Sequence, residues 1–477
     1  MEMRSVFDNI SPLDHRYSIS EKNVFDNLGK YLSENASIEA CIRCEIALII
    51  AHLKVRNIYT EEKRILLEKA AASLSCEDVY KEEEKTHHHI RALVNVLKTK
   101  LSDELKPFVH LGATSADILD TSQSWRIKNA TQNVVLPLLS KLQLALCDFA
   151  EKEASTPQVG RTHGQHAVPI TLGFAISEYV SRLGKSILEI KRLYTTLKGK
   201  LAGAVGSYNA TSMIVKDPLE LENLYLSELG LEPSEHSTQL VEPEYLLRLL
   251  LEFNSSFGII ANLADDLRCL ARSEIAELKE GFSLTQVGSS TMPQKRNPWN
   301  SEHVKSMWKA FMPRIITFCM DQISEHQRDL SNSASGRFIA DYICGFAMAV
   351  ERMYTIVIGL KADNEKLLAN LVSGGGMIMA EPAYILLCEA GVSDAHEIIR
   401  RITLKCEKEE LSFVDALQGE LNILPKISKK MAELGIIDKD SEILAMDFFK
   451  KPENYCGLSC EKAKTIAKKY RKLVELV

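Results

Sequence analysis

Between residues 244 and 279 apolar side chains recur at steps of mostly three or four positions. Leu246, Leu250, Phe253, Phe257, Ile260, Leu263, Leu267, Leu270 and Ile275 follow this spacing, and only Gly258 interrupts it. That period predicts one long amphipathic helix. Similar uncapped stretches cover residues 121–153, 172–201, 300–325 and 336–371. Glycine and proline are sparse, and short alternating runs between turn pairs are almost absent, so few strands are predicted. Helices this long belong to bundles. The pattern divides the chain into three all-α regions: shorter helices over 1–111, long helices over 112–371, and shorter helices again over 372–477, beyond the glycine turn at Gly374-Gly375-Gly376. Five long amphipathic helices carry more apolar face than one subunit easily covers, which predicts a homo-oligomer.

Composition narrows the function. Hydrophobic residues make up 45% and charged residues 26%, as in an ordinary globular protein. The net charge of −6 leaves no basic footprint for nucleic acid. Apolar runs such as 46–51 and 356–360 are too short to span a bilayer, and residues 1–9 lack an apolar leader core. A cytoplasmic protein without membrane partners is expected. The 11 cysteines are scattered and odd in number, which argues for reduced thiols. Cys41 and Cys44 form a CxxC pair to which His87-His88-His89 could add ligands, but no second close-spaced pair follows and the CxxC sits in a helical pattern, so no metal is expected.

Polar clusters punctuate the helices. The longest, Gly288-Ser289-Ser290-Thr291-Met292-Pro293-Gln294-Lys295-Arg296-Asn297-Pro298, cannot be helical, because Pro293 lacks a donor and Pro298 disfavours the helical region at Asn297. It reads as a mobile loop rich in backbone N–H groups, hydroxyls and cations. In Gly160-Arg161-Thr162-His163-Gly164-Gln165-His166, two glycines flank Thr162 and His163, so a ligand can approach closely. His163 there is either a general acid–base or, with Arg161, a helix cap. Three consecutive histidines at 87–89 point in different directions on a helix, so at most one or two face a common site. Gly112-Ala113-Thr114-Ser115-Ala116-Asp117 supplies hydroxyls and a helix N-cap suited to carboxylate or phosphate. The run from Glu325 to Arg337 sets Arg328 and Arg337 among hydroxyls, either as an anion clamp or as a solvated helix end.

Together these clusters resemble the fumarase/aspartase superfamily, whose signature GSSxMPxKxNP is similar to the 288–298 loop. Within it, the adenylosuccinate lyase family is the nearest resemblance. The arm Ser11-Pro12-Leu13-Asp14-His15-Arg16-Tyr17 is similar to that family's Arg-Tyr motif, and residues 110–121 to its TSxDxxDT segment. GRTHGQ at 160–165 resembles its general-acid motif, and QRDLSNSASGR at 327–337 its ERDxSxSxxxR segment. His88-His89 stands where the family has His-Asp, and His166 where it commonly has proline. Gln294 is similar to the argininosuccinate lyase loop, which keeps that enzyme, or a silent structural homologue, as an alternative.

The resemblance implies a three-domain all-α protomer with a central bundle, a homotetramer, and active sites drawing residues from three subunits without cofactor. It implies β-elimination of fumarate from adenylosuccinate and from the succinylcarboxamide ribotide SAICAR. Ser289 would be the base on a loop that closes over the substrate, with Lys295 beside it, and His163 the acid, oriented by Glu302. Thr114, Ser115 and Gln239 would bind the succinyl carboxylates, helped by Thr162, Ser290, Met292 and Asn297. Arg16, Tyr17, Arg328, Ser333 and Arg337 would hold phosphate and ribose, joined by His88.

Overall fold

The computed structural model describes residues 5–283, 285 and 287–475. Leu284 and Gln286, which precede the expected 288–298 loop, and residues 1–4, which precede the arm, lie outside the described residues. The chain is all-α, with three two-stranded sheets among the described residues.

The central bundle is built from the predicted long helices, most of them broken or shortened where local chemistry demands. The 121–153 stretch runs through Ser115–Ala130, a π-turn at Thr131–Val135, and Leu136–Lys152. Pro137 is tolerated because it sits in the first turn of the last segment. The 172–201 helix ends at Tyr194. Its last expected residues instead form the short strand Lys198–Gly199, paired with Glu232–Pro233. Glu244–Leu270 is the longest unbroken helix. The 300–325 stretch is divided at Pro313 into Trp299–Phe311 and Arg314–Met320. The 336–371 stretch gives Ile339–Gly359 and Asn364–Val372, separated by a strand at Lys361–Ala362 that pairs with Leu278–Lys279.

Facing apolar stripes fill the bundle. Phe346 stacks on Phe253 at 5.4 Å and tilts against Phe257 at 5.5 Å, a favourable offset for aromatic rings. The last helix, Ser459–Val474, also joins this core through Ala467, Tyr470 and Val474. Gly184 makes room for it, since a Cβ there would lie 2.2 Å from the Tyr470 ring.

Three helical stretches, Ser115–Lys152, Glu244–Leu270 and Ser335–Gly359, are long and apolar enough to cross a membrane by length and composition. The short apolar runs of the sequence suggested none. The explanation is packing: 56%, 56% and 67% of their apolar windows are buried inside the protein. Side chains such as Ile316 and Ile358, each 60% exposed, remain on the outer faces of bundle helices.

A second core gathers Glu34–Val55 and His89–Thr99 with residues 201–231, and a third covers 379–449. In the second core His52 is fully buried. Its Nε2 donates to Leu111 O at 2.8 Å, while Nδ1 accepts from Arg56 Nη1 at 2.8 Å. Burial, with Arg56 adding to it and the Leu111 bond opposing it, lowers its pKa from 6.5 to about 4. Unfolding exposes a ring that takes a proton near pH 6.5. The neutral ring therefore stabilises the fold above that pH, and the contribution is lost as pH falls through about 4. The loss is on the order of 3 kcal/mol. Urea midpoints should fall between pH 7.5 and pH 4.5, and this slope should flatten in His52→Gln.

Candidate active site

The corner at 86–117 is built from two helix N-termini. His88 caps His89–Thr99, its Nδ1 accepting from the Arg91 N–H at 3.1 Å. Thr114 caps Ser115–Ala130 in a capping box with Asp117, whose Oδ2 accepts from the Thr114 N–H at 2.8 Å. Asp117 is fully buried. It also accepts from Lys200 Nζ and from the N–H groups of Ala202 (3.1 Å) and Gly203 (3.3 Å). It is an internal anchor that fixes Thr114 and Ser115. The structure brings Ser115 Oγ within 3.5 Å of His88 Nε2. His89, where the family has aspartate, pairs instead with Glu83 at 3.3 Å.

The Gly160–His166 segment does interrupt the helices, between Leu136–Lys152 and Leu172–Tyr194, and the interruption is a hairpin. Strands Pro157–Thr162 and Gln165–Thr171 form an antiparallel hairpin, with a register shift between Val159 and Arg161. Its two-residue turn is His163-Gly164, with φ of 54° and 75°. Two successive positive φ values match the twist of a tight hairpin and favour glycine at the second position. His163 stands exposed at the tip, beside exposed Thr162. The hairpin is held from behind by Glu277, which is fully buried. Arg161 donates to both its carboxylate oxygens (2.5 and 3.1 Å), Gln158 donates to Oε2 and Asn370 to Oε1, each at 2.8 Å. The sequence drew no attention to Glu277, whose partners lie 93 to 119 residues away.

The 288–298 loop is pinned at its neck by Glu280, which accepts from the Ser301 N–H (2.9 Å) and Oγ (2.5 Å). Within it Asn297 Nδ2 donates to Gly288 O at 3.2 Å. Ser289 Oγ accepts from the backbone N–H groups of Met292 (3.1 Å) and Thr291 (3.4 Å). Lys295, Ser290 and Met292 are exposed, and Arg296 lies over the Phe282 ring at 5.1 Å. The helix that follows carries exposed Glu302, and His303, whose Nε2 is 2.8 Å from Tyr17 Oη. Burial, with Arg352 and Arg16, pushes the His303 pKa down. Arg16 and Tyr17 thus sit beside the loop's exit helix.

A fourth group meets at Asp120, one and a half turns beyond Ser115. Its Oδ2 accepts from the Val241 N–H at 2.7 Å, and the Gln239 N–H donates to Gln327 O at 3.2 Å. Gln239 and Arg328 therefore lie together. Arg328 has φ of 128°, and its Nε and Nη2 are buried without a hydrogen-bond partner. Such a backbone conformation is costly and clusters at ligand clamps. Burial raises the Asp120 pKa to about 6 against the opposing pull of the Val241 N–H, Lys200 and Arg328. Ser333 and Arg337 are exposed just beyond.

Among the described residues, no hydrogen bond or ion pair joins Ser289, His163 and Ser115 within one chain, nor His163 and Glu302. What one chain offers is a basic, hydroxyl-lined corner, a presented histidine, and a serine ringed by backbone donors. Those are the parts needed to bind anions, give a proton and take one.

Comparison with known proteins bears on these parts. Residues 15–311 match the family described as Lyase, and residues 324–437 the one described as Adenylosuccinate lyase C-terminal. The chain is 33% identical to the adenylosuccinate lyase of Pyrococcus horikoshii, covering 98% of each chain. It is 28% identical to that of Archaeoglobus fulgidus over 96% of this chain and 98% of the relative. The fold is similar to a 3-carboxy-cis,cis-muconate lactonizing enzyme from Pseudomonas putida, with a TM-score of 0.79 at 22% identity, covering 93% and 97% of the two chains. A fumarate lyase from Mesorhizobium sp. BNC1 gives 0.78 at 19% identity, again over 93% and 97%.

Proposed function

Since the chain belongs to the adenylosuccinate lyase family of the fumarase/aspartase superfamily, we propose that it eliminates fumarate from adenylosuccinate, giving AMP, and from SAICAR, giving AICAR. The single observation that carries the chemistry is Ser289 Oγ receiving two backbone N–H groups on a loop that also bears Lys295.

The reaction breaks a carbon–nitrogen bond after loss of a proton from carbon beside a carboxylate. Negative charge then gathers on that carboxylate as the aci form, and preorganised donors and cations stabilise it. Ser289 takes the proton. The Thr291 and Met292 N–H groups stabilise its alkoxide, and Lys295 adds a positive charge on the same loop. Loop closure excludes water and completes the set. As the bond breaks, His163 gives its proton to the departing amine.

Thr114 and Ser115, held rigid by Asp117, bind succinyl carboxylate with Gln239, Thr162 and Asn297, while Ser290 and Met292 line the closed loop. Arg328, whose buried guanidinium atoms lack partners, takes the phosphate with Arg16, Tyr17, Ser333, Arg337 and His88. Because no hydrogen bond or ion pair among the described residues joins Ser289, His163 and Ser115 within one chain, we infer that the site is completed by neighbouring subunits, with Glu302 reaching the histidine of another chain. A homotetramer covering Ile316 and Ile358 fits this requirement. We place this nucleotide enzyme in the cytoplasm.

The test is turnover, followed by ultraviolet absorbance, with adenylosuccinate and argininosuccinate supplied separately. Adenylosuccinate alone should react. Reaction of argininosuccinate alone would mean that Gln294 outweighs Arg16, Arg328 and Arg337. Inertness toward both would mark a silent homologue.

A further inference from the structure

A cavity of about 590 Å³ opens at the His88–Ser115 corner, within the size range of small-ligand sites. It runs from Ser115 along His89–Thr99, where Arg91 and Lys98 stand seven positions apart and so share a face with Val94. His88 and His110 also line it, and no acidic side chain does. Glu45, buried beneath, is engaged by His110 itself: its Oε1 lies 2.7 Å from Nδ1, and its Oε2 accepts the His110 N–H at 3.0 Å. Glu83 is turned to His89. Neither Arg91 nor Lys98 forms an ion pair among the described residues, although Lys98 is half-buried. Two helix N-termini, at His88 and Thr114, also approach this space, and each favours negative charge.

We propose that this cavity is an anion-binding site that shares His88 and Ser115 with the substrate corner but has cations of its own, apart from the arginines assigned to the substrate phosphate, and that it takes a small oxyanion of two or more charges: a phosphate monoester or a dicarboxylate. Arg91 and Lys98 are its specific cations. Two cations without a lining carboxylate leave a positive field that an anion relieves. The Ser115 hydroxyl places the occupant against the corner that holds substrate, so occupancy changes substrate binding.

Calorimetric titration with inorganic phosphate and, separately, with succinate tests the idea. The full-length protein would carry Arg328→Gln and Arg337→Gln to remove the assigned phosphate arginines, with chloride matching ionic strength. At least one probe should still bind, and adding Arg91→Gln with Lys98→Gln should weaken it at least tenfold. Preference for phosphate identifies a phosphoryl ligand, and preference for succinate a dicarboxylate. If neither probe binds, or the added substitutions leave affinity unchanged, the proposal is wrong. Lys98→Gln alone, expected to weaken binding about threefold or more, substitutes for the pair if the combined variant does not fold. No turnover is read, so this result and the lyase assignment stand or fall separately.

Discussion

Replacing Ser289 by alanine should lower kcat by roughly 10²–10⁴-fold, the range typical of a lost proton-transfer group. Substrate binding should survive, because the anion contacts assigned to Thr114, Ser115 and Arg328 lie on other segments. The substitution leaves the Thr291 and Met292 N–H groups without the Oγ they serve, but both sit on an exposed loop where water replaces it. The fold should therefore be unaffected, with an unchanged denaturation midpoint. His163→Gln should lose turnover on the same scale, since glutamine keeps a polar side chain at the hairpin tip but cannot deliver a proton near neutral pH. Stopped-flow or calorimetric binding beside steady-state turnover separates the two quantities. Near wild-type kcat in either variant would overturn the assignment of base and acid.

Glu277→Ala should be the most damaging single change to the scaffold, costing roughly 3–5 kcal/mol, as when one partner is removed from a buried ion pair. Arg161 is left with an uncompensated charge behind the hairpin, and Gln158 and Asn370 each lose an acceptor. Turnover should fall as well, because the turn bearing His163 is no longer held in one orientation, and misplaced groups lose effective concentration. Arg161→Ala alone should also destabilise. Adding it to Glu277→Ala should cost far less than the sum, since removing both partners leaves no orphaned charge. Urea denaturation of the four proteins measures that coupling. Additive costs would mean that Glu277 acts through Gln158 and Asn370 instead.

The long helices were legible because their apolar period is sustained over many turns, and Pro313 alone accounts for one of the breaks. The hairpin was not legible. Its strands lack the apolar alternation of a sheet, and the irregularity near Gly160 shifts its register. Yet His163-Gly164 is the kind of pair a tight turn prefers, and that signal was present. The loop was readable as a non-helical segment from Pro293 and Pro298. What sequence spacing could not show was which distant groups hold these pieces. Glu277 meets Arg161 across 116 positions, and Asp120 meets Val241 across 121. Nor could periodicity reveal that residues 201–231 pack into the second core, or that 459–474 return to the bundle, because membership of a core is decided by contacts, not by order along the chain.

One consequence concerns how such a protein can change over generations. Glu277, Asp117 and Glu280 hold the pieces from within, while Ser289, His163 and Lys295 stand at or near the surface and support almost nothing. Drift at the presented residues can abolish or redirect the chemistry without unfolding the molecule, whereas drift at the anchors removes the molecule itself. A lineage of this fold can therefore retire from catalysis and persist as a sturdy helical body, or acquire a new amine substrate, by changes confined to its rim.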